Sequence, residues 1–476
     1  MTGPAAGARL AGQRVCVAGL GITGKSVVEL LASQGAQVTA LDSRADAERQ
    51  ELAASLERSG VTVRLGPGEL GAAVPPGTRL VVTSPGLRPD TPLLARAVAA
   101  GIEVIGDVEL AWRLRPLLAD GTRQQWLAIT GTNGKTTTVR MLAAMLAAAG
   151  HRTIAAGNVG TPILAAVTAP EPYPVVAVEL SSFQLYWSTT VAPLAAVVLN
   201  IAAHHLDWHD DIESYAAAKS RIYAPGTIAI SNAEDPRSAA MAAAAGQVSR
   251  RVAFRLGPPQ PGELGVTDGW LTDRAFADSA QLAEVAAVRP AAVHNVADAL
   301  AAAALARAYG DPPEAIAAGL AAFQPEPHRM SEVGAPGGVS YIDDSKASNP
   351  AAAGASLASF PSIVWIAGGL FRGRDEDLDA LVAGARLRLR AVVLLGADRA
   401  RFAQALVRHA PDVPVSEVAG TDTGAMDLVV AQAARLAQPG DTVLLAPAAQ
   451  SFDMFRDYPA RGEAFAAAVA RLAASR

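Results

Sequence analysis

The sequence predicts an α/β protein of three domains. Two observations carry that expectation. Short, near-continuous apolar runs alternate with helical stretches along most of the chain, as parallel strands covered by helices on both faces require. Two glycine-rich turns, residues 19–24 and 131–134, each lie between such a strand and such a helix. The length agrees: 476 residues, 51% hydrophobic and 18% charged, suit about two to four domains with large cores. The expected domains are residues 1–107, 108–324 and 325–476.

In the first block, strands are expected over residues 15–19, 38–42 and 80–84, with a helix over 26–34 ended by Gly35. Pro75-Pro76-Gly77 and Ser84-Pro85-Gly86 mark loops. In the second, strands fall at 126–129, 175–179 and 195–200, a helical run starts at Val139, and an alanine-rich helix covers 297–307. In the third, strands fall at 339–342, 363–367, 391–395 and 442–445, and a helix over 461–474 closes the chain.

Composition excludes several function classes. A net charge of −5 gives no electrostatic reason to expect a nucleic acid partner. Cys16 is the sole cysteine, in the apolar pattern Arg14-Val-Cys-Val-Ala18, so a buried packing role and a reducing compartment are expected. The N-terminus lacks a secretory pattern. The longest apolar stretch, 191–203, is broken by Pro193 and Asn200 and is shorter than the ~20 residues of a membrane span. A cytoplasmic protein with no membrane span is expected.

The most informative segment is Ala128-Ile-Thr-Gly131-Thr-Asn-Gly134-Lys135-Thr-Thr-Thr138. A strand runs into a glycine-bounded turn, a lysine, hydroxyls and a helix. That is a phosphate-binding loop: main-chain N–H groups face anionic oxygens, Lys135 adds charge at the β/γ-phosphates, and Thr136 offers a hydroxyl to Mg²⁺. The common Gly-x4-Gly-Lys-Thr pattern would need glycine at 129, where Ile129 stands.

Gly19-Leu-Gly-Ile-Thr-Gly24 follows a strand and precedes a helix, and Asp42 ends the next strand. This fits a nucleotide pyrophosphate with an acid near the ribose, NAD included, or a tight turn with no ligand. Glu179 ends a strand beside the phosphate loop, placed for Mg²⁺ or for the dipole of the helix that follows. His204, His205 and His209 gather three of the seven histidines, at a spacing that does not match a helical zinc motif. Lys219, in Tyr215-Ala-Ala-Ala-Lys-Ser-Arg221, reads by itself as an ordinary surface lysine. His328-Arg329 stands at the start of the third block, where an arginine can clamp a transferring phosphoryl group. Tyr341-Ile-Asp343-Asp344-Ser-Lys346-Ala-Ser348-Asn349 packs acids, a lysine and hydroxyls at a strand end.

In this order, the motifs from Gly131 to Thr137, Glu179-Leu-Ser-Ser-Phe-Gln184, His205, Lys219, His294-Asn295, His328-Arg329 and Asp343-Asp-Ser-Lys-Ala-Ser-Asn349 resemble those of the Mur ligases, ATP-dependent amide-forming enzymes of peptidoglycan precursor synthesis. The resemblance covers essentially the whole chain. Asp-Ser-Lys-Ala-Ser-Asn349 and the segment Ala446-Pro-Ala-Ala-Gln-Ser451-Phe-Asp-Met-Phe-Arg-Asp-Tyr458 look like the branch that adds D-glutamate to UDP-N-acetylmuramoyl-L-alanine. The Asp-Asn-Pro-Arg motif of the diamino-acid-adding branch is absent.

The resemblance implies a Rossmann-like first domain, a central ATPase-like domain with a parallel sheet, and a Rossmann-like third domain. Ile22, Thr23, Asp42, Ser43, Arg44 and Gly86 would line the pocket for the UDP-substrate, with Asn158, Ser181 and Gln184 reaching in from the central domain. Gly131, Thr132, Asn133, Gly134, Lys135, Thr136 and Thr137 would hold ATP, joined by Asn295, Asp298, Arg329 and Asp344. Thr136, Glu179, His205 and a carbamylated Lys219 would serve two Mg²⁺ ions. Lys346, Ser348, Arg372, Ser451 and Tyr458 fall where D-glutamate is held. Lys135, Glu179, His205, Lys219 and Arg329 form the expected catalytic set.

Three departures stand out: Asp298 where Asn is usual, Arg372 where Lys is usual, and His204 where an acid often precedes the metal histidine. Expected chemistry is phosphoryl transfer from ATP to the substrate carboxylate, then attack by the amine on the acyl phosphate, in a monomer whose domains close for turnover. A folylpolyglutamate synthase-like ligase, an NAD-dependent dehydrogenase using residues 19–24 and a non-catalytic nucleotide-binding scaffold are the competing readings.

Overall fold

A computed structural model describes residues 10–158, 160–289, 292–324, 327–420 and 424–475, apart from the side chain of Asp207. The chain forms two compact units, Met1–Ala287 with Ala297–Phe323, and Val288–Val296 with Gln324–Arg476. The expected boundary at Pro325 lies outside the described residues.

The first unit holds two sheets. One is fully parallel, in the order β3-β2-β1-β4-β5: β1 (Arg14–Ala18), β2 (Gln37–Asp42), β3 (Thr62–Leu65), β4 (Leu80–Thr83) and β5 (Glu103–Gly106). The central strands β1, β2 and β4 match the expected apolar runs. The edge strands β3 and β5 were not anticipated, because Thr62-Val-Arg-Leu and Glu103-Val-Ile-Gly carry polar residues where an edge meets water. Cys16 is fully buried in β1, and burial pushes its thiol up to about 12, so it is inert packing.

The second sheet has nine strands: β6 (Gln125–Thr130), β7 (Ala155–Gly157), β8 (Val175–Glu179), β9 (Ala195–Val198), β10 (Ile228–Asn232), β11 (Arg250–Phe254), β12 (Glu263–Thr267), β13 (Trp270–Asp273) and β14 (Ala280–Glu284). Their order is β14-β13-β12-β11-β10-β9-β6-β8-β7. Pairing is parallel from β7 through β12, whereas β13 and β14 extend the sheet antiparallel. The expectation of a parallel sheet therefore holds for its body and not for this edge. The β12–β13 hairpin turns on Asp268 (φ 49°) and Gly269 (φ 79°), both left-handed, as a tight two-residue hairpin demands.

The phosphate-loop strand β6 sits between β8 and β9, all three buried on both faces. The helix after the loop, Lys135–Ala148, packs against the helix Pro313–Ala322. Their backbones meet at Gly319, where an added Cβ would lie 2.4 Å from Met145 Cα. The alanine-rich helix runs from Val293 to Tyr309, longer than expected, and Ala299 through Ala306 are fully buried. Alanine there is what lets neighbours crowd a helix on every side.

The second unit has one sheet in the order β15-β16-β20-β17-β18-β19: β15 (Ser331–Gly334), β16 (Ser340–Asp343), β17 (Ile363–Gly368), β18 (Leu389–Leu395), β19 (Val415–Glu417) and β20 (Thr442–Leu445). Only β15 is antiparallel. The C-terminal ends of β16, β17 and β20 carry the loops with the expected polar residues, the usual ligand side of such sheets. No helix among the described residues is long and apolar enough to cross a membrane.

Candidate active site

The phosphate loop leaves β6 at Thr130 and enters its helix at Lys135. Gly131 (φ 153°) and Gly134 (φ 83°) take backbone angles that favour glycine. A Cβ at Gly134 would lie 2.3 Å from Asp298 Oδ1, so Asp298 packs directly against the loop. Asn200 braces the loop from the end of the neighbouring strand. Its carbonyl accepts from Thr132 N (2.9 Å), its Oδ1 accepts from Asn133 N (2.9 Å), and its Nδ2 donates to Asn133 O (3.2 Å). Lys135 Nζ donates to Thr132 O at 2.8 Å, which arches the ammonium back over the turn.

Glu179 is fully buried at the end of β8. Its Oε2 accepts from Thr136 Oγ1 and its Oε1 from Asn158 Nδ2, each at 2.9 Å. Lys219 reaches the loop from the helix Ile212–Ser220. It is 1% exposed, and its Nζ donates to Gly131 O (2.8 Å) and Thr130 Oγ1 (3.1 Å). The surface-lysine reading of Lys219 is thus corrected: its helix, Ile212–Ser220, is packed against neighbouring helices, and Tyr215, Ala216, Ala218 and Lys219 are its buried residues. Burial, and then repulsion from Lys135, hold the amine well below the usual lysine range, with Glu179 acting the other way.

His205 sits at φ 55°, and its ring lies 4.8 Å from Phe183 and 3.8 Å from His204, centroid to centroid. Burial, followed by the charges of His205, Lys135 and Lys219, pushes His204 down to about 3. His209 is structural: its Nε2 pairs with Ser182 Oγ at 2.9 Å inside the fold. No group of three His, Cys, Asp or Glu side chains among the described residues could hold a metal alone. One buried carboxylate and one hydroxyl beside a phosphate loop do fit Mg²⁺, which keeps several waters and leans on substrate phosphates.

A cavity of about 480 Å³ opens beside the first glycine turn. Ile22, Thr23, Gly86, Asn158, Ser181 and Gln184 line it together, and so does Asp107. Asp42, Ser43 and Arg44 are not among its lining. Asp42 instead ties the glycine turn to β2, accepting from Leu20 N (2.6 Å) and Arg44 N (2.8 Å). Arg44 is paired in solvent with Asp46 at 2.7 Å. The third glycine is needed for closeness, since a Cβ on Gly24 would lie 1.9 Å from Gly19 O. Ser181 and Gln184 cap the helix Ser182–Tyr186 reciprocally, which fixes the Gln184 amide. Asp107, the first residue of the helix Asp107–Leu114, has one oxygen 3.5 Å from Gln184 Nε2 and the other without a hydrogen-bond partner. Burial pushes this carboxyl up to about 6. Sequence reasoning missed Asp107, Asn200 and Tyr215, whose hydroxyl meets Thr132 Oγ1 at 3.2 Å. An acid at the first helical position after β5 was the available signal for Asp107.

In the second unit, Asp343 pairs with His328 Nδ1 at 2.6 Å, and Asp344 accepts from Ser356 Oγ. Asp344 is pushed up to about 6, chiefly by burial, although the nearby Arg329 favours its charged form. Lys346 Nζ lies 3.9 Å from the centre of the Tyr458 ring. The buried Arg461 ties Ser345, next to Lys346, to the segment after β20, donating to Ser345 Oγ (2.9 Å), Ser345 O (2.7 Å) and Ala449 O (3.1 Å). Leu370 and Gln450 exchange backbone hydrogen bonds at 2.9 and 3.0 Å, which joins the loops carrying Arg372 and Ser451. Arg372 is exposed and Ser451 buried. Ser348 N donates to Lys346 O at 2.8 Å. Asn295 is buried in the segment Val288–Val296 of this unit, whereas Asp298 falls in the other. His328, Met330 and Ala448 hold positive φ, strain of a kind that gathers at functional loops.

Loop, buried carboxylate and paired hydroxyl together define an α/β protein built to hold a nucleoside triphosphate. Three family models match the chain in series: "Mur ligase MurD-like, N-terminal domain" over residues 13–106, "Mur ligase middle domain" over 129–306, and "Mur ligase, glutamate ligase domain" over 328–449. A UDP-N-acetylmuramoylalanine–D-glutamate ligase of Thermobifida fusca is 56% identical over 472 residues, 98% of this chain and 99% of that protein. One of the same name from Streptomyces avermitilis is 53% identical over 97% of this chain and 99% of its own length. The pseudomurein peptide ligase type C of Methanothermus fervidus shares the fold, with a TM-score of 0.60 at 17% identity over 97% of this chain and 100% of its own. The chain belongs to the Mur ligase family.

Proposed function

We propose that this chain is an ATP-dependent ligase that joins D-glutamate to UDP-N-acetylmuramoyl-L-alanine in peptidoglycan precursor synthesis. The observation that carries it is the 56% identity, end to end, with a ligase of that name. The match of residues 13–106 to a MurD-like N-terminal domain disfavours both the folylpolyglutamate synthase-like ligase and the dehydrogenase.

A carboxylate is a poor acyl donor because oxide is a poor leaving group. Phosphoryl transfer from ATP makes an acyl phosphate; the amine of D-glutamate then attacks and phosphate departs. The protein's work is placement and charge. The loop N–H groups and Lys135 hold the triphosphate end. The Lys135 ammonium already lies over the turn, so little reorganisation precedes binding. Thr136 and Glu179 would hold Mg²⁺, with His205 and a carbamylated Lys219 at a second ion, and the metal would supply positive charge at the transferring group. Lys219 suits carbamylation because burial lowers its pKa, which eases loss of the proton that an amine must shed to attack carbon dioxide. The cavity beside Ile22, Thr23 and Gly86 takes the UDP-substrate, with Asn158, Ser181 and Gln184 on its far wall. Arg329 and Asp344 are assigned to ATP, and Lys346, Ser348, Arg372, Ser451 and Tyr458 to D-glutamate, on resemblance. The domains take the boundaries 1–107, 108–324 and 325–476, and the enzyme works in the cytoplasm, where ATP is available.

The test is direct. Purified protein, ATP, Mg²⁺ and UDP-N-acetylmuramoyl-L-alanine are mixed with each amino acid in turn while phosphate is followed. Release with D-glutamate alone is expected. Preference for another amino acid, or equal release with none, refutes the proposal.

A further inference from the structure

A second cavity, of about 550 Å³, opens on the first unit away from the phosphate loop. It touches Gln13 just before β1, Arg79 and Leu80 at the start of β4, and Glu103 at the start of β5. These are the N-terminal ends of the parallel strands, whereas the cavity beside Ile22 and Gly86 lies at their C-terminal ends. The two therefore lie at opposite ends of the strands of one sheet.

Its charge is unbalanced. Four arginines and one glutamate line it. Arg113 is more than offset, meeting two carboxylates, Glu103 at 2.6 Å and Glu109 at 2.8 Å, so the four arginines keep an excess of two positive charges. The other three, Arg79, Arg115 and Arg123, have no carboxylate partner among the described residues. Arg115 is the most confined. Its guanidinium lies 3.0 Å from the centre of the Trp112 ring and donates only to the carbonyls of Trp112 (2.9 Å) and Gln124 (3.1 Å). Burial, and then Arg123, push it down to about 9, still charged at neutral pH. Arg123 donates to Arg115 O at 2.9 Å, which holds the two guanidinium-bearing segments together. Arg115 and Arg123, which meet carbonyls alone, repel one another, Arg79 lines the same cavity, and a bound anion would relieve that repulsion. Apart from Gln13 and Thr190 the remaining wall is apolar, with Leu10, Ile105 and Leu110 lining it together with Trp112.

We propose that this cavity is a binding site, separate from the catalytic machinery, for a small organic anion that carries a phosphate or carboxylate group next to an apolar or aromatic portion. The anion is met by Arg79, Arg115 and Arg123, and the apolar portion lies along Trp112. The assignment does not depend on the ligase reaction.

The test uses the full-length chain with a saturating non-hydrolysable ATP analogue. It is titrated with 1-naphthyl phosphate, 1-naphthoate and neutral 1-naphthol, following tryptophan fluorescence. One-to-one binding of at least one anion is expected, roughly tenfold or more tighter than naphthol and weakened by salt. Which anion binds tells phosphate esters from carboxylates. Arg79 and Arg123 are exposed, so R79A/R123A is expected to fold and to lose about tenfold or more in affinity. Equal binding of naphthol, no saturable binding, or unchanged affinity in R79A/R123A overturns the proposal.

Discussion

Lys219 Nζ lies 2.8 Å from the carbonyl oxygen of Gly131, so a residue remote in sequence grips the first turn of the phosphate loop from beneath. If that amine is carbamylated in the working enzyme, Lys219→Ala removes an anion from the metal site. Phosphate release should fall by on the order of a hundredfold or more, and added formate or acetate should restore part of it. A variant indifferent to short carboxylic acids would argue for an uncharged role.

Lys135→Ala should abolish ATP-dependent ligation while melting within a few degrees of the wild type, because this side chain is half-buried and its bond to Thr132 O stays within the loop itself. Calorimetry and phosphate release on the same sample separate the two effects. Near-normal turnover would show that the triphosphate sits elsewhere.

Glu179→Gln should weaken the dependence on Mg²⁺ rather than the fold, since an amide can still meet Thr136 and Asn158. The magnesium concentration for half-maximal rate should rise about ten- to a hundredfold. An unchanged magnesium curve would remove Glu179 from the metal site.

Asp107 supplies a pH signature. Its folded pKa, about 6, is raised by burial above the ordinary aspartate value of 3.8. The folded state therefore holds this proton longer than the unfolded one, and stability falls as pH rises from about 4 to about 6. Asp107→Asn lacks that proton. Its melting temperature should gain on the wild type across this window and hold the gain above it. A difference that does not vary with pH would mean Asp107 titrates normally.

Arg461→Met should destabilise the second unit by about 2–4 kcal/mol, because Ser345 and Ala449 lose buried donors. The Michaelis constant for D-glutamate should rise with it, as Ser345 precedes Lys346. A stable variant with an unaltered constant would disconnect this arginine from the amino-acid site.

Much of this was written in local pattern. The strands buried on two faces, β1, β6, β8 and β17, announce themselves as apolar runs, and the phosphate loop as glycines around a lysine. The antiparallel edge β13–β14 did not, although Asp268-Gly269 is a hairpin signal, because its strands are short and polar. The setting of Lys219 was invisible, since burial depends on what packs above a helix and not on the helix's own residues. Asp42 illustrates the converse. Its place in the motif suggested a ligand, and the carboxylate also accepts from Leu20 N in the turn and from Arg44 N after β2.

At Gly319 the absent side chain is a spacer of zero thickness. Every atom added there would act as a shim under the helix that begins with Lys135, tilting the turn that faces the nucleotide. A screen confined to the loop itself would overlook this contact at the far end of its helix.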